Sequence, residues 1–251
     1  MYEKEIYNPF GNKKYNILKQ DNKKYLEYNN KKYELNDNGY IPKSGLLFDN
    51  VLNEKICKNK KILDLGCGYM GILSLISNKY KALELDAIDY DIECIKWFNK
   101  IIDDNSLNNI NCYKSNWFSN VNKKYDVILT NPPQMPMRKK VLHDSGGING
   151  RKYIIKILKK ANKHLLENGC LYLLAFDFLG TNERTNKKKS LFEIANKYGF
   201  KDSKIVFEIE KKIKKDSVTY NNLDYIKKNY PYYNFGNKNK KCKIQIICFR
   251  R

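Results

Sequence analysis

A strand-like apolar run that leads directly into three closely spaced glycines is the feature that most constrains the fold of this chain. The run reads ILDLGCGYMG over residues 62–71, and an apolar pattern with the period of a helix follows it. Glycine tolerates positive φ and lets the backbone approach a ligand closely. A helix that begins at such a turn directs its free N–H groups and the positive end of its dipole toward a bound group. The pattern predicts a nucleotide-like site at the carboxyl end of a parallel strand, with Asp64 at the strand's end.

Two further stretches sharpen this prediction. AIDYD at 87–91 is an apolar strand that ends in acid, and Asp89 lies roughly 20 residues beyond the glycines, where a ribose-binding carboxylate is expected. DVILTNPPQ at 126–134 is another strand, and it runs into a polar turn that two prolines make rigid. A glycine-rich turn alone is a weak indication, whereas the three motifs together are specific.

DLGCGxxG, an acidic end to the second strand and NPP after a fourth strand together resemble class I S-adenosylmethionine-dependent methyltransferases. Within that class they resemble the small-domain or HemK-like N-methyltransferases, and the resemblance covers about residues 58–180. It implies S-adenosylmethionine as the cofactor, with the glycines around its methionine end. It also implies an α/β fold with a Rossmann-like seven-stranded methyltransferase sheet, mostly parallel with an antiparallel last strand.

The order of strand and helix patterns supports that fold from the residues themselves, since alternation of the two is typical of a doubly wound parallel sheet. The predicted strands lie at 60–65, 83–89, 110–114, 125–130, 170–176, 204–210 and 243–249. The predicted helices lie at 70–79, from 91 onward, at 150–166, where Asn168-Gly169 marks the end, and at 189–198.

The domain prediction divides the chain at residue 58. Residues 1–58 form an extension that caps the core, with a hairpin around the turn at 29–31 and a helix that begins at Ser44 as N-cap. Residues 59–251 form the methyltransferase domain. An insertion at 211–241 interrupts its final hairpin.

Each part of the cofactor has predicted contacts. The resemblance assigns the methionine half to Asp64, Gly66 and Gly68, and the ribose hydroxyls to Asp89. SNWF at 115–118 resembles the adenine-binding S/G-D-x-F element of the family, with Asn116 in place of the acid. The side-chain carbonyl of Asn116 can still accept a hydrogen bond, and Trp117 either flanks the adenine or packs in the core. The predicted cofactor set is Asp64, Gly66, Cys67, Gly68, Asp89, Tyr90, Asn116, Trp117 and Asn131.

The NPP turn suits transfer of a methyl group to nitrogen. Methyl transfer from a sulfonium is an in-line displacement, so positioning of the acceptor lone pair is the main task of the protein. The side-chain carbonyl of Asn131 and a backbone carbonyl of Pro132 or Pro133 are fixed acceptors for the N–H bonds of the target. They favour the positive charge that develops on that nitrogen, and neither needs to titrate. These three residues form the predicted catalytic set.

Three residues are predicted to contact the acceptor. Gln134 stands where the family usually has Tyr, Phe or Trp over a planar substrate, and glutamine favours a smaller or more polar acceptor. Arg151 begins a helix after the glycine-rich loop at 144–150, where it either pairs with a substrate carboxylate or phosphate or is solvated. Tyr220 belongs to the insertion, whose tyrosines alternate with lysines. The insertion is either a lid that stacks on a planar substrate or on nucleobases, or a loop that packs on the domain.

Composition says less about binding partners than the motifs do. The net charge of +21 would attract nucleic acid, but the abundance of Lys, Asn, Ile and Tyr is also what an AT-rich coding sequence produces. Seven cysteines without a CxxC pair, and only two histidines, argue against a metal site and a disulfide framework. The chain has no run of 18 apolar residues and no apolar amino-terminal segment, so a cytoplasmic location without a membrane partner is expected.

The predicted function is S-adenosylmethionine-dependent N-methylation of an amine or amide in a small-molecule or amino-acid-like acceptor. Three alternatives stay open: a protein-glutamine N-methyltransferase of the release-factor type, an RNA base N-methyltransferase, and a non-catalytic nucleic-acid-binding protein on the same scaffold. The sequence leaves the acceptor, the methylated atom and the oligomeric state undetermined.

Overall fold

The computed structural model of the chain describes residues 3–10, 13–36, 43–138, 141, 143–185, 188–215, 217–236 and 240–251. By compactness the chain divides into two units, Met1–Val121 and Asn122–Arg251.

A four-stranded antiparallel sheet forms the amino-terminal part of the first unit. Its strands, in spatial order, are β1 Glu3–Tyr7, β2 Tyr15–Gln20, β3 Lys23–Tyr28 and β4 Lys31–Glu34. The predicted hairpin is confirmed as β3 and β4, joined by Asn29 and Asn30 at φ +50° and +59°, as a tight two-residue turn requires. Two strands that were not predicted precede it. β1 is a charged, mostly exposed edge strand, so its sequence shows no apolar alternation.

The remainder of the first unit alternates strands and helices. Its elements are α1 Glu54–Cys57, β5 Lys61–Leu65, α2 Ile72–Lys79, β6 Glu84–Asp89, α3 Ile92–Asp104 and β7 Ile110–Lys114. β5 pairs with β6, and β6 with β7, both in parallel. Asp91 caps α3 by accepting from the N–H of Glu93, and the apolar face of that helix is buried, as the sequence predicts.

The helix predicted from Ser44 takes a different form. Residues Gly45–Asn50 are a 3-10 helix whose apolar side chains are all buried, and the side chain of Ser44 makes no cap hydrogen bond. Asn53 is the N-cap of the next helix, α1, and accepts from the N–H of Ile56. The predicted start at Ser44 is confirmed as the N-cap position of a 3-10 helix, whereas the side-chain cap is wrong, because a stretch this short and apolar is held by burial.

A buried carboxylate ties the amino-terminal sheet to the segments beside it in the first unit. Asp49 accepts from the Lys13 ammonium at 3.0 Å, the Lys79 ammonium at 3.1 Å and the Tyr28 hydroxyl at 2.6 Å. Two cations and a phenol thus compensate one buried charge. Hydrogen bonds of this kind anchor the extension within its own unit.

The second unit holds four strands and four α-helices among its described residues. They are β8 Tyr125–Thr130, α4 Lys152–Ala161, β9 Leu165–Phe176, α5 Leu191–Lys197, β10 Asp202–Lys212, α6 Val218–Asn221, α7 Leu223–Asn229 and β11 Lys241–Arg250. β8 and β9 are parallel, whereas β11 runs antiparallel to both β9 and β10.

The large sheet has seven strands in the order β10-β11-β9-β8-β5-β6-β7. This order, with parallel inner pairs and an antiparallel last strand, confirms the predicted fold class. One boundary is wrong: α4 ends at Ala161, and β9 begins at Leu165 instead of 170. Asn168, at φ +60°, lies where the β8–β9 register shifts, so Asn168-Gly169 marks a bulge in a strand rather than the end of a helix.

Candidate cofactor and acceptor sites

The glycine turn of the first unit is held open by its backbone. Gly66 and Gly68 have φ of +84° and +62°, and a Cβ built on either would meet nothing within 4 Å. The N–H groups of Gly66 and Cys67 both donate to the carbonyl of Ile88, at 2.8 and 3.0 Å, which fixes the turn on the end of β6. The turn therefore presents main chain to open space, as a ligand cradle requires.

Asp64 lies fully buried beneath this turn. Its Oδ2 accepts from the N–H and the hydroxyl of Ser74, at 3.0 and 2.9 Å, whereas its Oδ1 is buried without a partner. Burial raises the pKa of the Asp64 carboxyl to about 7, against the lowering effect of the Ser74 hydrogen bonds. A buried acceptor atom with nothing to bind is an unsatisfied group that a ligand cation would satisfy.

Asp89 links the end of β6 to the glycine turn. Its Oδ2 accepts from the N–H of Gly68 and its Oδ1 from the N–H of Asp91, both at 2.9 Å. A carboxylate has about four lone-pair sites, so both oxygens can still accept from ribose hydroxyls. The next residue, Tyr90, is 61% exposed, with the Lys114 ammonium 5.8 Å from its ring centroid.

The SNWF stretch follows directly after β7. Asn116 is exposed, and Trp117 is half-buried at φ +58°, a conformation that a bulky side chain adopts only when its surroundings impose it. The buried core residue of the stretch is Phe118. Of the two roles left open for Trp117, the arrangement thus favours an exposed flank over core packing.

Cys67 contributes to the turn only through its backbone. Its side chain is buried, and contact with the Cys112 thiol together with burial raises its pKa. The first unit thus offers open glycines, an unpartnered buried carboxylate oxygen and a half-exposed acid. These features fit the methionine, ammonium and ribose parts of S-adenosylmethionine.

The NPP turn of the second unit follows β8 directly. Asn131 and Pro133 are half-buried and Pro132 is buried. Gln134, 5% exposed, donates to the carbonyl of Leu174 at 3.0 Å and accepts from the N–H of Phe176 at 2.8 Å.

Gln134 therefore continues the sheet where β8 ends. The last β8–β9 pair is Thr130 with Leu173, and the Gln134 amide takes the place of the next backbone residue, opposite Ala175. Its nitrogen also donates to the carbonyl of Pro132 at 3.3 Å. The Gln134 amide thus has a structural role in the backbone, and its contact with the acceptor stays a prediction.

The glycine-rich loop packs against the same turn. Met135 donates to the carbonyl of Asp144, and Gly146 donates back to the carbonyl of Met135, at 2.8 and 2.9 Å. A Cβ on Gly146 would lie 2.6 Å from the Cα of Gln134, and one on Gly150 would lie 2.5 Å from the carbonyl oxygen of Gln134. The glycines are therefore needed for close packing of this loop under the NPP turn.

Arg151 is buried rather than open to a substrate. It is 2% exposed, and its Nη2 donates to the carbonyl of Lys189 at 2.6 Å, while its Nε is buried without a partner. Burial lowers the pKa of the Arg151 guanidinium, and burial together with the nearby Arg151 charge lowers that of Lys188. The solvated alternative is therefore wrong for Arg151, and its contact with a substrate stays a prediction.

The insertion packs part of its aromatic residues on the end of β9. Phe178 contacts the rings of Tyr230, Tyr233 and Phe235 at centroid distances of 5.6, 6.0 and 5.7 Å. Tyr230 and Phe235 are buried, so the packing alternative holds for them. Tyr220 instead stays half-buried, with the Lys240 ammonium 5.3 Å from its ring, and Tyr232 is 86% exposed.

Asp177, at the end of β9, was not predicted. It accepts from the Tyr233 hydroxyl at 2.6 Å and from the N–H groups of Phe178 and Lys243, and burial raises its pKa. The sequence did carry an indication, since LYLLAFD at 171–177 is an apolar strand that ends in acid, like the strands ending at Asp64 and Asp89.

Comparisons with known proteins agree with this arrangement. The profile of the methyltransferase small domain family matches residues 41–203. A putative protein N5-glutamine methyltransferase of Methanocaldococcus jannaschii is 30% identical over 177 residues, which cover 66% of this chain and 86% of that protein. Ribosomal RNA small subunit methyltransferase C of Haemophilus influenzae is 29% identical over 119 residues, 47% of this chain but only 33% of that protein.

Solved structures share the fold. A T. thermophilus 16S rRNA methyltransferase in complex with AdoMet and guanosine superposes with a TM-score of 0.53 at 15% identity. The match covers 100% of this chain and 51% of that one. Among the described residues, no helix is long and apolar enough to cross a bilayer.

The sheet order and the glycine turn define a Rossmann-like methyltransferase fold. The chain belongs to the methyltransferase small domain family and is an S-adenosylmethionine-dependent methyltransferase. The predicted family, enzyme class and cofactor are confirmed.

Proposed function

We propose that this enzyme methylates the side-chain amide nitrogen of a glutamine in a protein acceptor. The observation that carries the proposal is the rigid NPP turn, in which the Gln134 amide ties the backbone to β9 and the half-buried Asn131 directly follows the end of β8. A planar amide that offers two N–H bonds suits two fixed carbonyl acceptors.

Residues of the first unit position the cofactor in this proposal. Asp64 Oδ1 accepts from the ammonium of the methionine half, Asp89 accepts from the ribose hydroxyls, and the side chain of Asn116 accepts from the adenine amino group. When bound, S-adenosylmethionine supplies an electrophilic methyl group on a sulfonium.

Residues of the second unit position the acceptor. The Asn131 side-chain carbonyl and a proline backbone carbonyl hold the acceptor N–H bonds, which makes the nitrogen lone pair available along the methyl–sulfur axis. These acceptors stabilise the positive charge as the bond forms, and the proton is then lost to solvent. No titrating base is required, and none is assigned.

The small-molecule acceptor, which was the first prediction from the sequence, loses support at two residues. It depended on Gln134 and Arg151 as polar contacts, but the Gln134 amide is used by the backbone and the Arg151 side chain is buried with its Nη2 on the carbonyl of Lys189. The M. jannaschii relative, which the chain covers over 86% of its length, favours an amide acceptor instead.

A second candidate acceptor is an RNA base. The observation that favours it is the set of cations placed over rings of the insertion, with the Arg138 guanidinium 5.3 Å from the Tyr225 ring and the Lys240 ammonium 5.3 Å from the Tyr220 ring. Aromatic and cationic side chains together bind single strands by stacking and charge. The H. influenzae relative also carries an RNA acceptor in its name.

The experiment compares acceptors and Asn131 variants with radiolabelled S-adenosylmethionine. Peptides that contain one glutamine, the same peptides with asparagine or glutamate instead, and RNA fragments are offered in parallel. We expect transfer to the glutamine peptides alone, and Asn131→Ala should lower kcat by about 100-fold or more. Asn131→Asp keeps an acceptor oxygen and is expected to retain more activity than the alanine variant. Transfer to RNA, or undiminished turnover by Asn131→Ala, would contradict the proposal.

A further inference from the structure

A groove beside the NPP turn takes no part in the proposed methyl transfer. It has a volume of about 160 Å³ and lies on the second unit. The residues that line it are Met137, Arg138, Ser145, Gly147, Ile148, Lys152 and Tyr153.

Backbone pairing fixes the groove relative to the turn. Met135 donates to the carbonyl of Asp144, Gly146 donates to the carbonyl of Met135, and Met137 donates to the carbonyl of Gly147 at 3.1 Å. Met137 lies four residues after Pro133. An extended chain spans at most about 3.6 Å per residue, so an acceptor peptide of a few residues can bridge the turn and the groove.

The lining combines two exposed cations with aliphatic surface. Arg138 and Lys152 are exposed, and neither has a carboxylate at salt-bridge distance within the part of the chain that the structure describes. Ile148 is 72% exposed, so the groove presents a large apolar side chain to solvent. The groove is therefore complementary to a ligand that has a negative charge next to an apolar group.

Aliphatic walls distinguish a peptide from a nucleic acid. Nucleobases bind by stacking on flat aromatic faces, whereas Met137 and Ile148 offer none. The one ring in the lining, Tyr153, has the Lys152 ammonium at 5.5 Å from its centroid. A leucine-like side chain and a carboxylate match these walls better than a base and a phosphate do.

We propose that this groove binds the residues that flank the methylated side chain of a protein acceptor, and that it selects an acidic residue beside an apolar one. The inference rests on the proposed protein acceptor and adds a specificity-determining subsite to it. Arg138 and Lys152 pair with the acidic residue, and Ile148 and Met137 contact the apolar one.

The test separates binding in the groove from chemistry at the turn. A fluorescent peptide carries aspartate and leucine about four residues from one glutamine, a distance that the extended chain covers. A second peptide has lysine in place of the aspartate. Binding and methylation of both are measured with the wild type, Arg138→Glu, Lys152→Glu and Ile148→Asp.

Lys197→Glu is the matched control. Lys197 is an exposed helix lysine whose ammonium lies 5.9 Å from the neighbouring Tyr198 ring, in the same relation as Lys152 to Tyr153, but outside the groove. We expect each charge reversal in the groove to raise the KM for the aspartate peptide about tenfold, with kcat nearly unchanged. The lysine peptide should bind the same variants more tightly. Lys197→Glu should change the affinity for neither peptide.

Equal losses for both peptides, or equal effects of Lys197→Glu and Lys152→Glu, would overturn the inference. A peptide with asparagine in place of glutamine lacks the proposed methylation site but keeps the flanking residues. Its binding therefore tests the groove independently of the proposed function. If that peptide binds and charge reversal weakens it, the groove is supported even where no methyl transfer occurs. If RNA binds and Arg138→Glu releases it while no peptide binds, the groove serves nucleic acid and the inference is wrong.

Discussion

The glycine turn of the first unit and the NPP turn of the second both follow the carboxyl end of a parallel strand, yet they use their polar atoms in opposite ways. Around the glycine turn, one oxygen of Asp64 is left without a partner and the space above Gly66 and Gly68 is open. Around the NPP turn, the amide of Gln134 is fully used by the backbone. The glycine turn leaves polar groups available to a ligand. The NPP turn uses the Gln134 amide in internal hydrogen bonds, which make the turn rigid.

The difference follows from what each turn must recognise. A cofactor that is always the same can be bound by main-chain geometry and one or two acids, which a short motif specifies. An acceptor must be held in line with the methyl group, so rigidity of the turn matters more than the number of contacts. Residues that select the acceptor then lie outside the motif, as Ile148 and Arg138 do in the groove.

The largest effect is expected from a methyl group at Gly71. Its φ is +49°, and a Cβ there would lie 1.9 Å from the ring of Phe98, which is fully buried. Gly71→Ala therefore forces the ring or the turn to move, and we expect a loss of about 3 kcal/mol or more in the free energy of unfolding. Urea denaturation measures it.

Gly68→Ala is the matched variant, because its φ of +62° is strained for alanine but the space around it is open. The backbone penalty alone predicts a loss of about 1–2 kcal/mol. The fold should survive, so that affinity for S-adenosylhomocysteine can be measured by calorimetry. Equal destabilisation by both variants would show that packing on Phe98 is not what the glycine at position 71 provides.

A smaller effect is expected at the NPP turn. Gln134→Leu keeps the approximate size of the side chain but leaves the carbonyl of Leu174 and the N–H of Phe176 without a partner. Each unsatisfied buried group costs about 1–3 kcal/mol, so a loss of about 2–4 kcal/mol in the free energy of unfolding is expected. Thermal and urea unfolding of the variant check this.

Kinetics of the same variant decide between the two roles considered for Gln134. A structural role predicts a lower kcat, because Asn131 is no longer held in place, together with the loss of stability. Unchanged stability with a raised KM would instead identify Gln134 as a direct contact of the acceptor. Such a result would remove the contrast between the two turns.

Much of the fold was predictable because its strands are short apolar runs between turn residues. The strands at 110–114 and 125–130 agree with the sequence-based bounds. The start of β9 was not predictable, because Asn168-Gly169 is equally compatible with a helix end and a bulge. β1 has no apolar alternation and becomes a strand only by pairing with β2.

The candidate site was predictable where it depends on main chain and not where it depends on side-chain direction. Glycines and a terminal acid imply the cofactor turn, and the structure places Asp64 and Asp89 beside it. Nothing in NPPQ shows that Gln134 turns toward the end of β9, since that depends on a strand 40 residues further along the chain. The burial of Arg151 likewise depends on Lys189, which sequence spacing does not reveal.

The last prediction concerns the proton on Asp64, where pH rather than a substitution changes the stability. Its pKa is raised from 3.8 to about 7 by burial, so between these values the folded carboxyl holds a proton that the unfolded chain has released. Stability from this group is therefore complete below about pH 4 and is lost as the pH rises through about 7, by up to about 1.4 kcal/mol per unit. Asp64→Asn should flatten this part of the pH profile, as measured by urea unfolding between about pH 5 and pH 8.

Ligand binding at the glycine turn should change the pKa of the same carboxyl. A cation placed against Asp64 Oδ1 lowers the pKa of the carboxyl, so binding of S-adenosylhomocysteine near neutral pH should release a proton. Calorimetry in buffers with different ionisation enthalpies measures that proton, and Asp64→Asn should abolish its release. If the wild type binds without proton release, Asp64 serves only to hold Ser74 at the start of α2. The carboxylate at the glycine turn would then have a structural role, like the Gln134 amide at the NPP turn.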